Sequence, residues 1–591
     1  MKKLVYLVVL MATLSLTACD EFLTADNKSN VTDADYFKTA SGFQSLVNDA
    51  YSQLLAIYDS GDEDNYFIAG TDMYGDARGN INEALHRWSN ITPENGTVKN
   101  FYLKSYDAIR SCYAVKHYAA SAVVSEEVKA KAIDEGRFVA AYFYYLLVNN
   151  FGGVPLVKDF AASAVSGYPR ATAQEVYEYI IAELSEIITN HNLKPQTATA
   201  GGGEASIEAA KALLAKTYLS AAWDLNNSQY FSEAASLADQ VIAGRQLKTE
   251  FAALWAADRS GDDNEEFIFD IEFTNASHDP DGFNNNYQAY FSNYYGGTEE
   301  GMKQGRSAGL PTLRLLKLFT KEDKRYDATF MRELLVKEDF SKVSTTLFKN
   351  DASGDPIGDY FGWYANGNWA MGRIVAIYYP AWWESLDDIK AWRAKDPENR
   401  KNTFIIPQQE KTWVMEPWGV YMDEYDPDKE GTRKFDTTDA LAKTWSTQPC
   451  RKFDDCTNPN YYSKSFRDVH LITLPEMYFV AAEAYHKMGA ASAQKALDRL
   501  NATRVRAGLA PESSVTIDKI LEESAREMFG NGQRRMDLRR TQKLVEYNNL
   551  YNEHLKGNAA TIIGEKLLWP IPQAAIDANA ALTEEDQNPG Y

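Results

Sequence analysis

The chain has 591 residues, 83 acidic against 61 basic, for a formal net charge of −22 at pH 7. That balance opposes nucleic acid and other polyanions as partners and suits a neutral ligand better than an acidic one, although a local basic patch reverses such a bias. No Pro/Ser-rich linker or low-complexity block divides the chain, so one large unit or two interlocked ones is expected rather than a string of domains.

At the N-terminus, Lys2 and Lys3 precede an apolar run from Leu4 to Leu16, the charge and length of a secretory signal. The run is too short to span a bilayer comfortably. It ends at Leu16-Thr17-Ala18-Cys19, which resembles a bacterial lipobox, so residues 1–18 are expected to be removed and Cys19 to become an acylated N-terminus. Loss of the two lysines takes the charge from −22 to −24. Asp20 and Glu21 resemble an acidic export tag that directs lipoproteins to the outer leaflet of the outer membrane.

Gly70 to Trp88 then reads as a loop, with Tyr74 and Trp88 amid Asp72, Asp76, Arg78 and Asn80. Helical periodicity follows in Gly136 to Phe151 and in Ala171 to Ile188. Between them FGGVPLV, Phe151 to Val157, supplies a glycine stop and a sharp exit. Two amphipathic helices lie back to back at 209–244, with Leu214, Tyr218 and Ala221 at i, i+4, i+7 on the first and Ala234, Ala238 and Val241 on the second.

The pattern changes between Arg245 and Cys450. EEFIFDIEF, Glu265 to Phe273, reads as a strand, and the sequence beyond it is rich in Asn, Gly, Tyr and Trp without sustained period. A long irregular region inside a helical scaffold is where function is expected. Two acidic loops, Asp258 to Glu266 and Asp423 to Gly431, lack EF-hand spacing and read as solvated, so a structural calcium ion is not favoured and no other cofactor is implied. Cys112 is expected inside a helix, whereas Cys450 and Cys456 form either a small disulfide loop or two free thiols.

Helical pairing resumes at 474–508, with Met477, Val480 and Ala484 on one face and Ala493, Leu497 and Leu500 on the next. Pro475 and Glu476 suit a first turn, and Gly489 and Gly508 suit stops. Small residues at the contacts with Tyr between them resemble degenerate tetratricopeptide-like pairs, which bury their faces by stacking on neighbours. PIPQAAIDANAAL, Pro570 to Leu582, reads as a packed terminal clasp.

Taken together, LTACDEFL, FVAAYFYYLLVNNFGGVPLV, RATAQEVYEYI, AAKALLAKTYL, RDVHLITLPEMYFVAAEAYHKMG, LNATRVRAGL, ILEESAREMFGNGQRRMDLRR and LLWPIPQAAIDANAALTEEDQNPGY resemble, in order and spacing, the SusD/RagB family of outer-membrane lipoproteins. Arg535-Met536 depart from it, standing where the family often has an aromatic residue, and so does Pro475. The resemblance implies a mostly α fold: a tetratricopeptide-like scaffold with an irregular, loop-rich region carrying short strands. It is organised as one unit over 19–591 with a helical part at 19–245, a ligand-binding part at 246–450 and a second helical part at 451–591.

The resemblance further implies a non-enzymatic, surface-exposed protein that captures oligosaccharide or polysaccharide and passes it to a SusC-like TonB-dependent transporter. Uptake of peptides, as in the RagB branch, is the alternative. A surface glycoside hydrolase is the rival class, but a chain with 83 carboxylates always offers acidic pairs, and no P-loop, nucleophile elbow or H-E-x-x-H pattern occurs. Sugar rings stack on Trp and Tyr faces while neighbouring polar groups address the hydroxyls. The expected ligand residues are therefore Tyr74, Trp88, Asp72 and Asn80 in the first loop and Tyr290, Tyr294, Tyr295, Trp363 and Trp369 in the second region, where Trp382 and Trp383 also lie.

Overall fold

A computed structural model describes residues 33–58, 66–75, 83–161, 163, 165–196, 202–247, 250–273, 285–291, 309–335, 375–400, 404–405, 448–455, 457, 465–552 and 554–591. Its first long helices are α1 (Ala40–Ser52), α2 (Gly96–Ala119), α3 (Glu126–Phe151), α4 (Ala173–Asn190), α5 (Ile207–Asp224) and α6 (Ser228–Ile242). Each begins where a polar side chain, Thr39, Asn95, Ser125, Thr172, Ser206 or Asn227, accepts a hydrogen bond from an N–H of the first turn. Such caps satisfy donors that the helix itself leaves unpaired. Helix α3 ends at Gly152, whose φ of +71° suits a glycine. Gly153 lies so close to the Ala171 carbonyl that a Cβ would sit 2.2 Å from its oxygen. The FGGVPLV exit is thus a packing device.

Seven short strands are described: β1 (Tyr74–Gly75), β2 (Phe267–Ile271), β3 (Leu310–Pro311), β4 (Glu333–Leu335), β5 (Val375–Tyr378), β6 (Phe404–Ile405) and β7 (Val469–Thr473). The expected strand in Glu265 to Phe273 is β2, antiparallel to β7, with all five residues of each strand buried. Strands β4, β5 and β6 make a separate sheet. Beside it lies α7 (Leu386–Lys395), and Val375, Tyr378, Ile389 and Trp392 close a small core of their own.

The C-terminal part carries α8 (Leu474–Lys487), α9 (Ala493–Arg506), α10 (Ile517–Met528), α11 (Arg534–Arg540) and α12 (Gln573–Ala578). Neighbours α2 to α6 stack in sequence order, and the stack continues from α6 directly onto α8 and then α9. One array therefore passes through an excursion of more than 200 residues, and one continuous apolar core runs from Phe43 to Leu582. Met477, Val480 and Ala484 are buried as expected, and Gly489 and Gly508 stop their helices at φ of +88° and +82°.

Two expectations about faces change. On α9 the buried residues are Ala496, Leu500 and Thr503, with Ala493 exposed, so the contact stripe is rotated from the expected one because α10 as well as α8 packs on this helix. Helix α5 is buried almost all round, Lys216 included, since α4, α6 and α8 enclose it; the Lys216 ammonium donates to Glu476 at 2.6 Å.

Candidate functional site

In the first expected loop, Gly70 to Tyr74 and Trp88 are buried. Asp72 is fully buried, and both its oxygens accept from Arg534 Nε and Nη2 at 2.8 Å. Tyr74 sits in β1, which pairs with β3. Its ring stacks on Phe529 at 4.9 Å and its hydroxyl accepts from Gly530 N–H at 2.8 Å. Trp88 is buried with a φ of +55°, rare for a bulky residue and tolerated only where surrounding packing enforces it. Asp72, Tyr74 and Trp88 are thus brought together around α11, as interior residues with no face open to a ligand. Asp76, Arg78 and Asn80 lie outside the described residues.

Tyr290, on a short helix at Tyr287–Phe291, is buried edge-on against Phe291. It lines a cavity of about 40 Å³ with Tyr58, Phe67, Phe453, His470 and Gln533. That space takes a few waters and no sugar ring, a water needing on the order of 10–15 Å³ by this measure. Tyr294, Tyr295, Trp363 and Trp369 lie outside the described residues, as does Cys19.

What the structure does present is Trp382. Of the tryptophans whose surroundings are described, it is the one with an exposed ring, at 38%. Its indole N–H donates to the Phe319 carbonyl at 2.9 Å, and Trp383 meets it edge-on at 5.7 Å while packing against Tyr326 at 4.7 Å. The ring is therefore fixed at its N–H while the residue stays partly open to solvent. Arg332 joins this corner to the β4–β5–β6 sheet, lying over the Tyr326 and Tyr378 rings and pairing with Glu384 at 2.5 Å. A partly exposed indole fixed at its N–H, with the Arg332–Glu384 pair on the same corner of the fold, suits stacking on a sugar's C–H face with polar groups at the rim. The sequence offered Trp382 as one aromatic among many, and nothing local to it signals that its neighbours would be buried.

Several charged residues of the interior pair with one another. Arg325 is fully buried, taking both oxygens of Asp323 and one each of Glu523 and Glu527. Burial alone would raise the Glu523 carboxyl; Arg325 and Arg526 overcome it and hold it down at about 2. The first acidic loop is solvated only in part: Asp258 and Asp263 are exposed, whereas Asp262 pairs with Arg467 at 2.9 Å and Glu266 with Arg506 at 2.7 Å, both carboxylates being buried. The second lies outside the described residues. Asp468, whose carboxylate accepts from Phe273 N–H, is pushed up to about 7 by burial. Cys112 and Cys450 are buried free thiols, both pushed up by burial; Cys456 is outside the described residues. No group of three His, Cys, Asp or Glu placed to hold a metal occurs among the described residues, and none of their helices is long and apolar enough to cross a membrane.

Comparison with known proteins bears on what this arrangement is. The family model described as the SusD family matches residues 265–591, more than half of the chain. The chain belongs to the SusD family. A second family model, described as "Starch-binding associating with outer membrane", matches residues 21–219 of this SusD-family chain. A curated relative, "SusD-like protein P2" of Formosa agariphila, is 24% identical over 345 residues, an alignment that spans 55% of this chain and 63% of the relative. Among solved structures, surface glycan-binding protein A from Bacteroides uniformis superposes with a TM-score of 0.62 at 18% identity, covering 93% of this chain and 99% of that one. A laminarin-binding SusD-like protein superposes with a TM-score of 0.61 at 20% identity, covering 94% and 100%. The SusD-family fold, mostly helical with short strands, is thereby shared across nearly the whole chain.

Proposed function

We propose that this SusD-family protein is a lipid-anchored, surface-exposed glycan-binding protein that captures oligosaccharide or polysaccharide and passes it to a SusC-like TonB-dependent transporter without performing chemistry. The observation that carries the reading is family membership in both halves of the chain, together with the fold shared with a surface glycan-binding protein. The Leu16 to Cys19 lipobox and the acidic pair after it support anchoring at the outer surface. A tether beside the pore keeps the local concentration of binding protein high, so modest ligand affinity suffices.

Trp382 is the platform in this proposal, and Trp363, Trp369, Tyr294, Tyr295 and Asn80 remain candidate ligand residues from the sequence. Asp72, Tyr74, Trp88 and Tyr290 act as scaffold. The test is affinity electrophoresis of a soluble chain beginning after Cys19 on neutral and acidic polysaccharides, followed by calorimetry. Retardation by a glycan, lost in Trp382→Ala while that variant keeps its circular dichroism spectrum and cooperative unfolding, is the expected result. Unaltered retardation in that variant would remove Trp382 from the site, and heat released by peptides alone would replace the glycan reading with peptide uptake. Cys19→Ala is expected to leave the membrane fraction, and a large β-barrel is expected to accompany the wild type in pull-downs from outer membrane.

A further inference from the structure

Arg535 is 2% exposed, yet it pairs with no carboxylate among the described residues. Nη1 donates to the Asn150 side-chain oxygen at 2.9 Å, while Nη2 is buried with no acceptor among the described residues. The guanidinium lies over two indoles, 4.4 Å from the Trp569 ring centre and 5.5 Å from that of Trp88. Both of those indole N–H groups are themselves buried without an acceptor. Trp88 holds its place at a left-handed φ, and its Nε1 abuts Gly70, where a Cβ would lie 2.7 Å away. Burial pulls the guanidinium down to about 9; the Tyr591 phenol opposes that shift and the Arg539 cation adds to it.

Three buried N–H donors, on the guanidinium and on the two indoles it packs against, thus have no acceptor among the described residues. Buried polar groups are almost always paired, and cation–π contact with the two indoles offsets charge without accepting a hydrogen bond. A water accepts two bonds but brings two protons that need acceptors of their own, which a donor-only set does not supply. A monatomic anion carries the opposite charge, accepts from every direction and brings no hydrogen.

We propose that Arg535, Trp88 and Trp569 form an internal site for a halide-sized monovalent anion, which neutralises the guanidinium and ties the loop around Trp88 to α11 and the C-terminal tail. The site is independent of glycan capture.

Bromide is the probe. Crystals of the mature chain grown in sodium bromide, measured at the bromine absorption edge, are expected to show an anomalous peak in contact with Arg535 Nη2 and at least one of the two indole nitrogens. In solution, the melting temperature is expected to rise by about 1 °C or more on replacing gluconate with bromide at constant ionic strength, once bromide exceeds its dissociation constant about tenfold. That difference should vanish in Arg535→Met and persist in Arg535→Lys. An absent anomalous peak at saturating bromide overturns the proposal whether or not the variants fold, and so does a bromide effect of equal size in wild type and Arg535→Met.

Discussion

Asp72 shows how a residue's role depends on a partner that no local pattern reveals. In its own segment it is one acid among Tyr, Gly, Arg and Asn, the composition of a sugar-binding loop. In the fold its carboxylate is committed to Arg534, 462 positions away. Asp72→Asn leaves that guanidinium buried with half a partner, and is expected to cost about 3–5 kcal/mol of stability by denaturant unfolding, with glycan affinity per folded molecule unchanged. A loss of affinity without loss of stability would return Asp72 to the ligand. Asp468 works in the opposite sense. Its folded carboxyl titrates at about 7 against an ordinary 3.8, so the fold favours its protonated form. The resulting stabilisation is complete below about 3.8 and is lost as pH rises towards 7. Asp468→Asn keeps an acceptor for Phe273 N–H, and is expected to raise stability at pH 8 by up to about 4 kcal/mol relative to wild type, with little difference near pH 4. Equal effects at both pH values would show that the carboxyl is not held protonated.

Among the elements, α6 is the hinge of the scaffold's continuity, because it faces α5 behind and α8 ahead. Ala234 and Ala238 are fully buried there, and their small side chains let the helix backbones approach closely. Ala238→Leu is expected to destabilise by about 1–3 kcal/mol through overpacking, read as a lower midpoint in urea with an unchanged slope. The alanine periodicity of α6 was legible in the sequence, and so were the ends of α8 and α9, because caps and glycine stops act within one turn. The contact stripe of α9 was not, since helices that pack from two directions do not reduce to a single apolar face. Lys216 on α5 was hidden for the same reason: a lysine at a helical position reads as solvent-facing until Glu476 of α8 is brought against it.

For the molecule as a whole, the stack from α2 to α9 makes the two helical parts depend on each other across the region between them. Residues 33–245 expressed alone lack α8 and so expose the buried part of α6 that packs on it. They are expected to bind a hydrophobic dye or self-associate, whereas the intact chain does neither. A monomeric, dye-silent fragment would show that the N-terminal part closes without α8. By itself the sequence determined the family, the helical class, the β2 strand and the glycine stops, because each is written in neighbouring residues or in their order along the chain. Only the tertiary structure decided which aromatics are interior and which face water, that Asp72, Asp262 and Glu266 serve arginines, and that Trp382 stands open. Burial and ion pairing are set by residues hundreds of positions apart, and those meet only once the array has closed.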